Sequence, residues 1–321
     1  MKLALRAGLV AVVAAVAVQS GATAPASPRL LTTPDAAVFW SPHVGLLGVG
    51  LCASTKYACG SGAVELTTDG GHTYRIVLRT RRPVETVQTA GPRGAIVETY
   101  GKSVYRTLDR GRTWQPWHLR PGTSFATPQI GLGFRTYMVG NAIHLALLHT
   151  SDGGRAWTRA PKPTKCLSEF PDIDLVTPRL GWMVCAGEGG AGNEPKAVFS
   201  TRDGGRTWRE GAFAEALNHP EERGGMSLLG YPAGIAFAPN GFGLMWESRG
   251  TVYFTRDGGS HWQHKRHLAL FDVDFGRGAS AFANGTGFVL LSYPGGPLTR
   301  LVETRDFGRT WHLVRRWRAA Y

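Results

Sequence analysis

Two aspartates in similar sequence contexts are the best candidates for acid–base chemistry in this chain. Asp172 follows Pro171, Asp272 follows Phe271, and each opens an alternating apolar segment. A pair of carboxyl groups about 5 to 10 Å apart can act as acid and base on one glycosidic bond. The pair therefore defines a catalytic hypothesis, a glycoside hydrolase, whereas the simpler interpretation is that each aspartate caps the start of a strand.

Six more aspartates recur in one octapeptide pattern, Thr-x-Asp-x-Gly-x-x-aromatic. They are Asp69, Asp109, Asp152, Asp203, Asp257 and Asp306, and successive ones are 40, 43, 51, 54 and 49 residues apart. The carboxylate and the threonine hydroxyl can hydrogen-bond to the backbone of a tight turn, and the glycine accepts a positive φ. We therefore predict that these aspartates hold turns and are neither catalytic nor metal-binding.

The spacing of the octapeptide matches the period of a four-stranded propeller blade. In the fifth repeat, residues 234–237, 243–246 and 252–254 form three apolar segments, and Trp262 begins a fourth. The 43 glycines, 19 prolines and only 18% charged residues are typical of short strands joined by tight turns. We expect an all-β fold, a six-bladed β-propeller of four-stranded antiparallel blades with the octapeptide between the third and fourth strands; a seven-bladed propeller is the alternative.

The octapeptide resembles the Asp-box, also called the BNR repeat. The segment 181–184, Gly-Trp-Met-Val, followed by the octapeptide at 201–208 is most similar to the repeats of photosystem II assembly factor propellers, and the chain also resembles sortilin-like propellers. This resemblance implies a docking or chaperone-like role. Sialidases share the Asp-box, but the early Arg29 lacks the following proline of their Arg-Ile-Pro motif and no tyrosine stands out as a nucleophile. The resemblance therefore does not imply a catalytically complete sialidase.

Alternate connections of an antiparallel blade lie on opposite faces of the propeller. The octapeptide turns share one face with the first-to-second turns, and we name the opposite face the top face. The longest connections, 161–169, 187–195, 214–231 and 292–298, fall on the top face. Because long loops on a rigid scaffold usually carry binding, the candidate binding residues are Glu169, Asp172, Glu188, Glu221, Glu222, Arg223 and Asp272.

Residues 1–26 have the pattern of a signal peptide. Lys2 and Arg6 precede an apolar run over 7–18, and small residues continue through Ala26. The apolar run is too short to remain in a membrane. We expect residues 27–321 to form a single exported propeller domain, extracellular or periplasmic and without a membrane span.

Export makes disulfide bonds available to the four cysteines. Cys52 and Cys59 flank one top loop, whereas Cys166 lies in a blade crossing and Cys185 at the top end of a second strand. We predict that Cys52 pairs with Cys59 and Cys166 with Cys185. No cysteine has a histidine at zinc-ligand spacing, and no glycine-rich loop has the pattern of a phosphate site. We therefore expect neither a metal nor a cofactor.

The chain is basic, with 36 Lys and Arg against 23 Asp and Glu and a net charge of +13. Eight octapeptide arginines should point to solvent, namely Arg110, Arg112, Arg155, Arg202, Arg206, Arg256, Arg305 and Arg309. This arginine rim either contacts an anionic surface or is an ordinary solvated surface, and export argues against nucleic acid. We expect a monomeric binding or assembly scaffold for a protein or glycan on the top face. The alternative is a secreted glycoside hydrolase that uses top-face carboxylates.

Overall fold

Alternating apolar segments on both sides of each octapeptide form the strands of this protein. The computed structural model describes residues 31–52, 59–118, 122–140, 142–166, 171–215, 221–248, 251–265, 275–292 and 298–318. These residues form 25 β-strands in six antiparallel sheets and no α-helix. The prediction of a six-bladed β-propeller is confirmed, and the seven-bladed alternative is wrong.

Each blade is built from consecutive strands. Blade 1 contains β1 (Leu31–Phe39), β2 (Gly45–Cys52), β3 (Cys59–Thr67) and β4 (Arg75–Thr80). Blade 2 contains β5 (Val84–Thr89), β6 (Ala95–Thr99), β7 (Val104–Thr107) and β8 (Gln115–Trp117). Blade 3 contains β9 (Thr123–Phe125), β10 (Gly131–Val139), β11 (Ala142–Thr150) and β12 (Thr158–Ala160).

The second half of the chain repeats this order. Blade 4 contains β13 (Asp172–Leu175), β14 (Gly181–Ala186), β15 (Lys196–Thr201), β16 (Arg209–Glu215) and β17 (Glu221–Arg223). Blade 5 contains β18 (Pro232–Phe237), β19 (Gly243–Glu247), β20 (Val252–Thr255) and β21 (Gln263–Lys265). Blade 6 contains β22 (Phe275–Ala281), β23 (Gly287–Ser292), β24 (Leu298–Thr304) and β25 (His312–Arg318).

The pairing of the second and third strands has the same register in all six blades. In blade 1, Phe39 pairs with Gly45, which pairs with Thr67, the first residue of the octapeptide. In the other five blades the first threonine of the octapeptide likewise pairs with the first residue of the second strand. Each octapeptide therefore begins at the last residue of the third strand and forms the turn between the third and fourth strands.

Blade 4 departs from the predicted architecture by a fifth strand. The sequence predicts one long top connection over 214–231, but within it β17 returns and pairs with β16, Glu221 opposite Glu215 and Arg223 opposite Phe213. The physical reason is that β16 is an outer edge, whose free N–H and C=O groups can pair with any extended segment that follows it closely. The other five blades have the predicted four strands.

The core lies between neighbouring blades. Trp182 of blade 4 stacks on Phe237 of blade 5 with ring centroids 4.1 Å apart. Between the last and first blades, Phe39 stacks on Phe288, also at 4.1 Å. Among the described strands, no sheet combines strands from both ends of the chain, so the ring closes through this packing of blade 6 against blade 1.

Three sequence-based predictions concern residues outside the described ranges. The signal peptide, residues 1–26, is one of them, and the candidate residues Glu169 and Asp272 are the others. Within the described ranges no helix has the length and apolar character needed to span a bilayer.

Candidate functional site

The octapeptide aspartates hold their own turns. In blade 1, the Thr67 hydroxyl donates to Asp69 Oδ1 at 2.8 Å, and the Thr73 N–H donates to the same oxygen at 2.9 Å. The Gly71 N–H donates to Thr67 Oγ1 at 2.9 Å. Hydrogen bonds from the Thr207 side chain and backbone likewise lower the pKa of Asp203 to about 2. These carboxylates are ionised and occupied by the turn, which leaves them little capacity for chemistry.

Two copies of the octapeptide differ at the residue that donates to the second carboxylate oxygen. Four copies have a threonine there, Thr73, Thr113, Thr207 and Thr310, whose hydroxyl binds Oδ2 of the aspartate. In blade 5, His261 Nδ1 lies 2.7 Å from Asp257 Oδ2. In blade 3, Ala156 offers only its backbone N–H to Asp152. Blade 3 therefore has the least complete turn.

The innermost strands of the six blades surround a central channel with a cavity volume of about 990 Å³. Its wall includes five carboxylates, Asp35, Glu85, Glu98, Asp172 and Asp174. Aromatic rings line it as well, those of Phe39, Trp40, Tyr100, Phe125, Phe237 and Trp246. The described residues of this wall include no lysine or arginine, although Lys102 beside it pairs with Glu85 at 3.1 Å and with Glu98 at 3.5 Å. An acidic, ring-lined channel thus runs through a protein whose net charge is +13.

Asp172 and Asp174 lie on the same side of β13 and face blade 5. Asp172 Oδ2 accepts a hydrogen bond from the Ile235 N–H at 2.7 Å, and Asp174 Oδ2 accepts one from the Phe237 N–H at 2.6 Å. β18 is the inner edge of its sheet, so these N–H groups have no neighbouring strand to bind. Asp172 thus begins its strand as predicted, but its carboxylate binds the next blade.

Burial makes both carboxyl groups weaker acids than usual. It raises the pKa of Asp172 to about 6 and that of Asp174 to about 7, and the Phe237 N–H opposes the shift at Asp174 while the charge of Asp172 adds to it. Carboxyl groups of this kind exchange protons near neutral pH, which is a property of many acid–base sites. The partner expected for Asp172 from the sequence, Asp272, lies outside the described residues.

The bond made by Asp174 is one of three equivalent contacts between blades. Ser124 Oγ accepts from the Leu175 N–H at 2.9 Å, and Ser280 Oγ accepts from the Phe39 N–H at 2.8 Å. In each case, the side chain of the next-to-last residue of one inner strand accepts a hydrogen bond. The donor is the backbone N–H of the last residue in the inner strand of the adjacent blade. These three residues were not predicted from the sequence, although the polar side chain at the same position of three repeats was a visible signal.

On the top face, a buried ion pair anchors the loops of blades 4 and 5. Lys196 Nζ lies 2.6 Å from Glu247 Oε1, and both side chains are fully buried. Lys196 Nζ also donates to the carbonyl oxygens of Leu229 and Gly230, each at 2.9 Å. Burial lowers the pKa of this lysine, and Glu247 opposes that shift. The pair therefore fixes the loop that follows β17.

The remaining candidate binding residues are divided between exposed and structural positions. Glu188 and Arg223 are exposed. Glu222 Oε1 accepts the Leu228 N–H at 3.2 Å and so supports its own loop. For Glu221, the structure describes the backbone in β17 only. Asp172 lies apart from this group, in the channel wall.

Both predicted disulfides form. Cys52 is bonded to Cys59 across the second-to-third loop of blade 1, and Cys166, in the crossing before β13, is bonded to Cys185 in β14. In the described ranges no three His, Cys, Asp or Glu side chains are grouped as metal ligands would be.

No protein-family model matches the chain, and no curated protein matches it in sequence. Among solved structures, the six-bladed β-propeller lectin of the fungus Aleuria aurantia matches with a TM-score of 0.55 and 10% identity, over 91% of this chain and 97% of the lectin. YCF48 from Cyanidioschyzon merolae matches with a TM-score of 0.43 and 14% identity, over 90% of this chain and 86% of that one. The likeness to the lectin is one of fold, and it agrees with the six blades described above.

Proposed function

We propose that this protein is an exported Asp-box propeller that acts as a binding or assembly scaffold, with a protein or glycan partner held at the top face and the mouth of the channel. The observation that carries the proposal is the channel wall. Carboxylates and aromatic rings line it, and no lysine or arginine does so among its described residues. Such a wall attracts the cationic side chains of a protein segment, or the hydroxyl groups and apolar faces of a sugar.

The geometry of the octapeptide turns supports the assignment to the Asp-box class. Each octapeptide joins the third and fourth strands of its blade, and in each copy the threonine hydroxyl donates to the aspartate at 2.8 to 2.9 Å. The two disulfides support export, because such bonds persist in oxidising compartments. The signal peptide and the single domain over 27–321 belong to the same proposal.

Binding of a fluorescent peptide rich in lysine and arginine tests the channel, with a glycan array in parallel. The test variant Asp172→Asn/Asp174→Asn, assayed at pH 8 where both carboxyl groups are ionised, removes two wall charges and keeps the side-chain shapes. The control Glu210→Gln removes a carboxylate that pairs with Lys165 at 3.1 Å outside the channel. We expect the test variant to bind the peptide about tenfold more weakly because two attractive charges are lost. Equal affinity of the test and control variants would contradict the channel as the site.

A second function, glycoside hydrolysis, is favoured by the near-neutral pKa values of Asp172 and Asp174 in the channel wall. A panel of fluorogenic glycosides tests it. If the protein hydrolyses a glycoside, and this turnover is lost in Asp172→Asn but kept in Glu210→Gln, the protein is an enzyme rather than a scaffold. Against this function, each carboxyl group has one oxygen bound to a backbone N–H of blade 5.

The arginine rim is a further part of the proposal. All eight arginines are exposed, on the face opposite the top, and an anionic surface is the partner that fits them. Arg206→Gln/Arg309→Gln should weaken retention on a polyanion column. Unchanged retention would identify the rim as an ordinary solvated surface.

A further inference from the structure

Blade 3 carries a hairpin that extends beyond its own sheet. β10 and β11 pair along their whole length, from Gly131 opposite Thr150 to Val139 opposite Ala142. The flanking strands are much shorter, because β9 pairs with residues 131–133 only and β12 with residues 147–149 only. Residues 134–140 and 142–146, which we name the arm, therefore continue without flanking strands. At about 3.4 Å per residue, the tip of the arm lies roughly 20 Å beyond the end of β9.

The arm lies on the top face and exposes apolar side chains at its tip. Thr136, Leu145, Met138 and Ile143 share one side of the hairpin, since opposed residues of a pair point the same way. Leu145 is buried against the core between blades 3 and 4. Beyond it, Met138 is 59% exposed, Ile143 is 42% exposed and Val139 at the tip is 57% exposed. The apolar stripe of the core thus continues past the blade into solvent.

Behind the tip, the other side of the arm is aromatic and cationic. The Tyr137 ring stacks on His144 with centroids 5.6 Å apart, and the Arg135 guanidinium lies 5.7 Å from the Tyr137 ring centroid. Arg159 Nη2 donates to Tyr137 Oη at 3.2 Å. Residues 131–150 contain no aspartate or glutamate. Along the axis of the arm the order is therefore apolar tip, then a belt of tyrosine and cations, then the blade.

We propose that the arm inserts its tip into the interface of an anionic lipid bilayer. Interfacial segments bury apolar side chains about 5 to 10 Å deep and keep cationic side chains at the headgroups, and tyrosine is enriched at that level. Met138, Val139 and Ile143 match the first requirement, and Arg135 and the groups around Tyr137 match the second. A protein groove could cover the same apolar residues, but it would not require cations in a belt behind them. The arm goes beyond the channel function and is independent of it.

The neighbouring top turn does not extend the cationic belt. Between β6 and β7, Lys102 pairs with Glu85 at 3.1 Å and with Glu98 at 3.5 Å, so carboxylates of the channel wall balance its charge. The proposal therefore rests on the arm alone. A bilayer that receives the tip of the arm lies on the top side of the propeller, opposite the arginine rim.

Co-sedimentation of the mature full chain with lipid vesicles tests the proposal. One set contains phosphatidylcholine alone, and the other contains phosphatidylcholine mixed with phosphatidylglycerol. We expect binding to the mixed vesicles, and Met138→Ser/Ile143→Ser should weaken it about tenfold because two apolar side chains no longer leave water. The control Leu108→Ser/Leu313→Ser changes two residues that are 43% and 51% exposed on other elements, and it should bind like the unaltered protein.

A second readout reports insertion directly. All four native cysteines are in disulfides, so Val139→Cys provides the one free thiol for an environment-sensitive dye. The emission should shift to the blue on mixed vesicles, whereas the same dye on Leu313→Cys should not shift. Unchanged binding of the Met138→Ser/Ile143→Ser variant, absence of the shift, or vesicle binding lost only in Arg206→Gln/Arg309→Gln would overturn the proposal. Binding to soluble polyglutamate without binding to vesicles would also overturn it and indicate an acidic protein partner.

Discussion

Asp174 of blade 4 holds Phe237 of blade 5 by a hydrogen bond of 2.6 Å from the Phe237 N–H to the carboxylate. Two residues earlier on each strand, Asp172 holds Ile235 in the same way at 2.7 Å. The inner edge of a propeller blade has no neighbouring strand, so a polar side chain from the preceding blade takes that place. The two carboxyl groups of the channel wall whose pKa values are near neutral are therefore also parts of the ring that joins the blades.

Removal of the Asp174 carboxylate should destabilise the junction. In Asp174→Ala the Phe237 N–H loses its acceptor, and an unpaired buried donor costs about 1–3 kcal/mol of unfolding free energy. Urea unfolding at pH 4, where the buried Asp174 carboxyl group carries no charge penalty, measures the difference. Ser124→Ala and Ser280→Ala, which remove the equivalent acceptors at two other junctions, should have smaller effects of the same sign. If Asp174→Ala unfolds at the same urea concentration as the unaltered protein, the bond is not a structural contact.

The raised pKa values of Asp172 and Asp174 predict a stability that falls as the pH rises. Both groups bind protons more tightly in the folded than in the unfolded chain, whose carboxyl groups titrate near 3.8. Their penalty is therefore absent below about pH 4, grows as the pH rises and is complete above about pH 7. Asp172→Asn/Asp174→Asn keeps an oxygen for each backbone N–H and removes the charge.

This double variant should be more stable than the unaltered protein at pH 8, by about 2–4 kcal/mol, and equally stable at pH 4. Urea unfolding across this pH range measures both quantities, and Glu210→Gln controls for the loss of a carboxylate elsewhere. A variant with the same pH profile as the unaltered protein would show that the two carboxyl groups titrate normally in the folded state.

Much of the fold could be predicted from the sequence because each blade is local. The octapeptide, its aromatic residue and the alternation around it lie within one repeat, so their spacing defines strands, turns and blade number. β17 could not be predicted from its local sequence, because its pairing depends on the free edge of β16 rather than on its own composition. The arm had a signal, the Gly140-Asn141 pair between two apolar segments, which is typical of a two-residue hairpin loop.

The site was less predictable because its contacts join different blades. The sequence picks out Asp172 and Asp272 by their similar neighbours, but similarity of neighbours does not say where a carboxylate points. In the structure Asp172 binds the backbone at Ile235, a residue with no feature that marks it as a partner. The acidity of both channel aspartates likewise arises from burial by other blades.

The incomplete turn of blade 3 offers a stabilising substitution. In Ala156→Thr, the new hydroxyl can donate to Asp152 Oδ2, as Thr73, Thr113, Thr207 and Thr310 do in their own turns. We expect the melting temperature to rise by about 1–2 °C, measured by calorimetry. Ala156→Val has the same shape without the hydroxyl, so an equal rise in that variant would show that the hydrogen bond is not the cause.

The buried pair of Lys196 and Glu247 predicts a strong asymmetry between single and double variants. Lys196→Met leaves the Glu247 carboxylate buried without its cation, at a cost of about 3–5 kcal/mol of unfolding free energy. Lys196→Met/Glu247→Leu removes both charges and should recover most of that loss, although the carbonyl groups of Leu229 and Gly230 then lose their shared donor. Urea unfolding of Lys196→Met, of Glu247→Leu and of the double variant gives the coupling energy between the two side chains. Additive effects would show that the two side chains act independently, whereas a double variant more stable than Lys196→Met would establish the ion pair as the anchor of the top loops.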